Sequence, residues 1–434
     1  MQIAQPINPP TGGAVPQRPR AAIPAVVLQH VEDAGALRNT RSYLVRAPHV
    51  RLMHLGRLDA RIAAHLDGIA VAGRLGAQLS MEALEHAGRG ELFTAAVGCI
   101  EGRFVAGLDR LIALAEALPE IEPGLHSAFG WVSATHLREI VNAQLERDVA
   151  IAQRTGIAAC ALHRVDPGKV LETAIASSFP AVRARALRCA GEIGRRDLLP
   201  GCLVHLQDDD AECRFGAARA AVLLGNRGEA LTVMAGFGLQ PGSWRTAAVA
   251  LAVGAGGSGA RTLLERLAEQ VTDLRTLVRA VAQSGDCQYV PWLIRLMADD
   301  KLARLAGEAF SFITGADLAW LDLDRRPPEQ VPAGPNDIPD DPDTAMDEDE
   351  GAPWPDVEKT AGWWTANASH FRPGERYFVG APPSWEHCLH VLKDGYQRQR
   401  IAAAHYLCLL RPGTVLFNCA APAWRQSRRL GQMA

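Results

Sequence analysis

Aromatic residues are scarce, at 6% of the 434 positions, and no long hydrophobic run is present. Strands favour β-branched and aromatic side chains, so a composition led by alanine, leucine and arginine points to helices. The least polar stretch, "TAAVALAVGAGGSGA" (246–260), is too short and too glycine-rich to cross a bilayer, which excludes membrane insertion. The chain also lacks a strong charge of one sign. A net charge of −3 provides no global basic field for holding nucleic acid non-specifically, so nucleic acid is an unfavoured partner. The nine cysteines are an odd number and form no CxxC pair, so they read as small buried hydrophobes in a reducing compartment. The opening "MQIAQPINPPTGGAVPQRPR" has no apolar signal-peptide core and is rich in proline and glycine. Residues 1–22 are therefore expected to be a disordered leader, and the protein to be cytoplasmic.

Motifs for catalysis are missing too. There is no GxSxG, HExxH or EF-hand loop. "GAGGSG" (254–259) satisfies GxGxxG, but it follows a helical pattern and no Lys-Ser/Thr comes after it, so it reads as a turn. In the segment 49–73, His65 and Asp67 stand two apart on a helical pattern and so point to different sides. The expectation is a protein with no catalytic residues, no metal and no cofactor.

What the chain does have is an internal repeat. "PAVRARALRCAGEIG" (180–194) reappears as "DAECRFGAARAAVLLG" (210–225) and "PGSWRTAAVALAVGAG" (241–256). It recurs again as "TDLRTLVRAVAQSG" (272–285) and "DDKLARLAGEAFSFITG" (299–315). Aligned on Arg183, Arg214, Arg245, Leu274 and Arg304, the copies are spaced by 31, 31, 29 and 30 residues. In each, a turn carrying Pro or Asp starts a helix, small residues follow three or four apart, and a glycine suited to a left-handed C-cap ends it. Shorter apolar helices lie between the copies, as in "LLPGCLVHL" (198–206) and "YVPWLIRLM" (289–297). A helix pair of this size cannot bury its own apolar face and must stack on neighbours, which predicts an all-α solenoid. Two readings of the arginines follow. Arg183, Arg214, Arg245 and Arg304 form a structural ladder, paired with turn carboxylates such as Asp208, Asp209, Asp210 and Asp300. Alternatively, Arg183 joins Arg185, Arg188, Arg195 and Arg196 in a basic partner-binding surface.

Residues 23–165 read as a helical N-terminal region with no alignable repeat. Between 327 and 358 there are eleven acidic residues, no Lys or Arg, and many prolines, which predicts an acidic linker over 317–360. As a linker it could be deleted at 327–357 without loss of the fold; the rival reading makes it a contact for the arginine-rich repeats. Residues 361–434 read as a C-terminal cap with one further helix pair, in which Arg400, Ala403 and Leu407 recover the repeat spacing. The aromatic block at its start offers Trp363, Trp364, Arg376 and Tyr377 either as a plug or as partner-binding residues.

The pattern V-R-x-x-A over 168–316 resembles the short HEAT-type repeats of the phycobilisome-lyase-like class. Several stretches together are similar to a bacterial family of HEAT-repeat proteins associated with type VI secretion gene clusters. They are "APHVRLMHLGRLDARIAAHLDG" (47–68), "RLAGEAFSFITGADL" (304–318), "HFRPGERYFVG" (370–380) and "GYQRQRIAAAHYLCLLRPGTVLF" (395–417). The resemblance implies a non-catalytic cytoplasmic scaffold or adaptor whose partner is a protein, such as a secretion effector or component. The alternatives are a helical-repeat enzyme and a nucleic-acid binder using the arginine-rich repeat surface. Deoxyhypusine hydroxylase, an iron enzyme of helical-repeat fold, uses His-Glu dipeptides; here only the reversed Glu85-His86 and Glu386-His387 occur.

Overall fold

The computed structural model of the chain describes residues 22–270, 273–329 and 347–433. The expected leader therefore lies outside the described residues except for residue 22, as do positions 330–346 of the acidic segment. Among the described residues there are 22 α-helices and a single two-stranded antiparallel ribbon, in which Asp324 faces Pro355 and Arg325 faces Trp354. The architecture is an all-α solenoid.

Helix pairing extends further toward the N-terminus than the legible repeat. Arg74–Glu82 packs with Arg89–Glu101, Val105–Ala117 with Glu122–Trp131, and Ala134–Glu146 with Ala150–His163. The pairs continue through Lys169–Ile175 with Pro180–Ile193 as far as Val290–Leu296 with Ala303–Thr314. The second helix of each pair stacks on the second helix of the next, giving one continuous inner row. Its close approach rests on small residues: a Cβ on Gly191 would lie 2.7 Å from the Ala220 Cα. Ala217, Ala218, Ala220 and Ala221 are all fully buried at the same seam.

The C-terminal region reaches beyond the end of the array and runs back along it. The glycines that end the repeat helices form the seam on which it lies. Gly285 (φ 67°) leaves its carbonyl to the Tyr377 N–H at 2.8 Å, and a Cβ there would sit 2.2 Å from the Tyr377 oxygen. Val379 and Gly380 donate to the Phe312 and Ile313 carbonyls, and Leu416 donates to that of Glu192. Further on, Ala423 donates to the Asp59 carboxylate at 2.6 Å, and the last helix, Ala423–Met433, packs on Leu52–Val71. Between these anchors the helix Gln397–Leu410 is almost wholly buried against the inner row. Its Arg400, with no exposed surface, donates to the Leu392 carbonyl and to the side-chain oxygens of Gln397 and Gln426.

The row curves until its ends meet across this helix. Arg51 reaches Asp317 at 2.8 Å, Tyr396 donates to the same carboxylate at 2.9 Å, and the Arg51 guanidinium lies 4.4 Å from the Tyr396 ring centre.

The acidic segment departs from the linker expectation at both described ends. The helix Val357–Asn367 begins inside it, Trp354 is buried, and Asp349 is 3% exposed. Asp347 pairs with Arg304 at 2.6 Å, Glu348 with Arg279 at 2.5 Å, and Asp349 with Arg275 at 2.7 Å. The acidic run is docked because arginines of the array compensate its carboxylates; charge that is unfavourable to bury alone is retained when paired.

Candidate functional site: arginines around Glu192

The helix Pro180–Ile193 starts on a proline at its first turn and stops at Gly194 (φ 75°). Its buried face is Val182, Ala186, Leu187 and Ala190, which leaves Arg185, Arg188 and Glu192 together on the opposite face. Glu192 is 4% exposed and is the shared partner of four guanidiniums. Arg188 lies at 2.8 Å, Arg185 at 2.9 Å, Arg164 at 3.2 Å and Arg219 at 3.7 Å. Burial alone would raise its carboxyl pKa, but these guanidiniums hold it well below the ordinary carboxylate range. Arg219 shows the converse: burial and its arginine neighbours lower it to about 10, with Glu192 opposing the shift.

The cluster extends onto the adjoining elements. Arg154 pairs with Glu122 at 2.7 Å, and His126 lies 3.3 Å from that carboxylate. Burial pushes His126 down to about 3, with Arg185, Arg154 and Arg188 adding to the effect, so it is neutral at pH 7. His405, on the central helix, falls to about 3 through burial and the field of Arg219. Among the described residues, Arg185 Nε, Arg219 Nη1, Arg154 Nε and His126 Nε2 are buried without a hydrogen-bond partner. Arg188 remains open to solvent, its side chain 58% exposed. The arrangement is a positively charged cluster with one accessible guanidinium, suited to binding carboxylates or phosphates.

The residues singled out by sequence are distributed as follows. Arg183 closes on Asp208, while Arg214 donates to the backbone carbonyls of Asp208 and Asp209 at 2.6 and 2.8 Å. Arg245 pairs with Asp273 at 2.5 Å and with Gln270, and Arg304 pairs with Asp347 and stacks on Trp354. Asp210 caps its helix through the Cys213 N–H, and Asp300 takes Arg325. Arg195 is held by Asp166, Glu172 and Asp197, apart from the Glu192 cluster; Arg196 is exposed beside Gly413.

The aromatic block is turned inward. Trp363 packs edge-on against Phe310, and Trp364 and Tyr377 both pack on Phe371. Tyr377 is 5% exposed, and Arg376 donates to the Val253, Gly254 and Ser284 carbonyls at the ends of two repeat helices. Both are thereby taken up in closing the array, because the helix-end carbonyls need donors.

Sequence reasoning missed Glu192, Arg164, Arg219, Arg154, His126 and His405. One signal was available. Counting five residues past each ladder position gives Arg188, Arg219, Ala250, Arg279 and Ala309, a second arginine register with the same spacing. All nine cysteines are buried and unpaired. Burial raises their thiols, to about 12 at Cys189 and Cys202 for example, so they stay protonated at neutral pH. Among the described residues no group of three or more His, Cys, Asp or Glu side chains is placed to hold a metal, and no helix is long and apolar enough to cross a membrane.

Residues 168–254, which cover three helix pairs, match the family model for HEAT repeats. No curated protein and no solved structure matches the chain.

Proposed function

We propose that this chain is a non-catalytic interaction scaffold, an adaptor that holds a protein partner in the cytoplasm and works with a type VI secretion system. HEAT repeats over 168–254 support the scaffold class, since stacked helix pairs present extended binding surfaces. The observation that carries the reading is Arg188: a solvent-facing guanidinium fixed by Glu192 on a closed helical array. Side chains held this way lose little freedom on binding, which favours recognition. The link to secretion rests on the resemblance of 47–68, 304–318, 370–380 and 395–417 to proteins of those gene clusters.

The test is affinity capture with tagged full-length chain from nuclease-treated lysate of cells expressing a type VI system, with Arg188→Gln in parallel. A stoichiometric protein retained at high salt and lost with Arg188→Gln supports the scaffold, and its identity as a secretion component supports the adaptor role. Nucleic acid at low salt with nothing at high salt would instead establish the basic surface as a polyanion binder.

A further inference from the structure

We propose that the arginine cluster around Glu192 receives an acidic peptide segment of the partner, with Arg188 as its carboxylate-binding residue. The proposal rests on the scaffold reading and adds the chemistry of what the scaffold holds.

The chain itself contains the precedent. Arg188, Arg219 and Arg279 occupy the same position in their repeats, and at Arg279 that position is already engaged. The run Asp347-Glu348-Asp349 arrives from far along the chain and lies across the inner row. Glu348 reaches Arg279 at 2.5 Å and Arg275 at 3.5 Å, Asp349 reaches Arg275 at 2.7 Å, and Asp347 reaches Arg304 at 2.6 Å. Consecutive acidic residues on a turn thus fit the spacing of arginines presented by neighbouring repeats.

Midway along the row, the equivalent arginines Arg188 and Arg219 share a carboxylate of their own layer. Arg154, Arg164, Arg185, Arg188 and Arg219 face Glu122, Glu192 and, near Arg188, Glu212. Five guanidiniums against three carboxylates leave the cluster positive, with His126 and His405 neutral. Arg185 Nε and Arg219 Nη1 lack acceptors among the described residues, while Arg188 is open to solvent. A carboxylate entering at Arg188 meets a planar fork of donors whose geometry is already set. The charge complementarity and the internal Glu348–Arg279 pair favour a run of Asp and Glu over other occupants.

The test is fluorescence anisotropy of labelled deca-glutamate against the full chain at low ionic strength, with polyphosphate and a single-stranded oligonucleotide as separate probes. Saturable deca-glutamate binding is expected, weakened about tenfold by Arg188→Gln and unaffected by Arg428→Gln with Arg429→Gln on the last helix. A circular dichroism melt reports whether Arg188→Gln folds. Glu212→Arg, on the adjoining exposed surface, provides an independent variant and should strengthen binding. Binding indifferent to both Arg188→Gln and Glu212→Arg overturns the proposal, as does binding of polyphosphate or oligonucleotide without deca-glutamate. If deca-glutamate fails while partner capture still depends on Arg188, the acidic-peptide inference falls and the scaffold stands. If capture fails as well, the scaffold reading falls with it.

Discussion

Arg183 and Asp208 form a two-pronged ion pair between successive repeat turns, with Nε to Oδ2 at 2.7 Å and Nη2 to Oδ1 at 2.9 Å. Hydrogen bonds from Arg183, aided by the Asp210 N–H and His205, hold the Asp208 carboxyl below its ordinary range although burial opposes this. Its contribution to stability is therefore present above the unfolded-state pKa and lost as the pH falls through the folded one. Asp208→Asn should cost about 1–3 kcal/mol at pH 7. Urea midpoints measured at pH 7 and pH 3 should show the difference from the parent shrinking in acid.

Replacing Glu192 with Gln should be more damaging. It removes the carboxylate shared by Arg164, Arg185, Arg188 and Arg219 and leaves buried cations uncompensated, at a cost of about 3–5 kcal/mol. Adding Arg188→Gln should restore part of the loss, because the two substitutions act on one network. Thermal unfolding of the two single variants and the double variant checks this.

Arg376→Ala should detach the aromatic block from the array. Its guanidinium serves the carbonyls of Val253, Gly254 and Ser284, and losing those bonds should cost roughly 1.5–3 kcal/mol. Lysine should not rescue it, since a single ammonium cannot reproduce a planar guanidinium fork. Hydrogen exchange at the amides of 377–380 should rise in both variants, and unchanged exchange would count against this role.

Three half-buried histidines predict acid sensitivity. Burial lowers His126 and His405 to about 3 and His163 to about 4, with Arg185, Arg219 and Arg425 respectively adding to the shift. In the unfolded chain they titrate near 6.5, so between that pH and the folded values the unfolded state binds more protons. Stability should be level in these groups above about pH 6.5. Below it, stability should fall by up to about 1.4 kcal/mol per pH unit for each histidine. His405→Asn should flatten that acid limb in denaturant titrations between neutral and mildly acidic pH.

Deletion of 327–357 should destabilise the protein, against the outcome for a linker. The excision removes Asp347, Glu348, Asp349 and Trp354, which Arg304, Arg279, Arg275 and the paired strand hold in place. A denaturant midpoint equal to that of the full chain would sink this expectation.

The solenoid was legible where each repeat carries its own punctuation. Pro180, Asp210 and Asp273 mark helix starts, while Gly194, Gly285 and Gly315 mark left-handed ends. The N-terminal pairs were not legible because their caps vary: Ala150–His163 ends on Arg164 in the left-handed region, and Glu122–Trp131 ends on an extended Val132. Of the candidate site, Arg185 and Arg188 were visible as a basic cluster. Their dependence on Glu192 was not, because a glutamate within a helix is usually solvated.

Local chemistry written into the chain thus determined the helices, their spacing and the need to stack, since the turn and cap residues that recur every 29 to 31 positions each act on their own neighbours. Tertiary structure alone decided that the C-terminal region runs back along the array, that Asp347–Asp349 meets the inner-row arginines, and that four guanidiniums share Glu192. Apart from Arg185 and Arg188, which share a helix with Glu192, these contacts join residues far apart in sequence. They depend on the curvature summed over every helix pair, which no local pattern encodes.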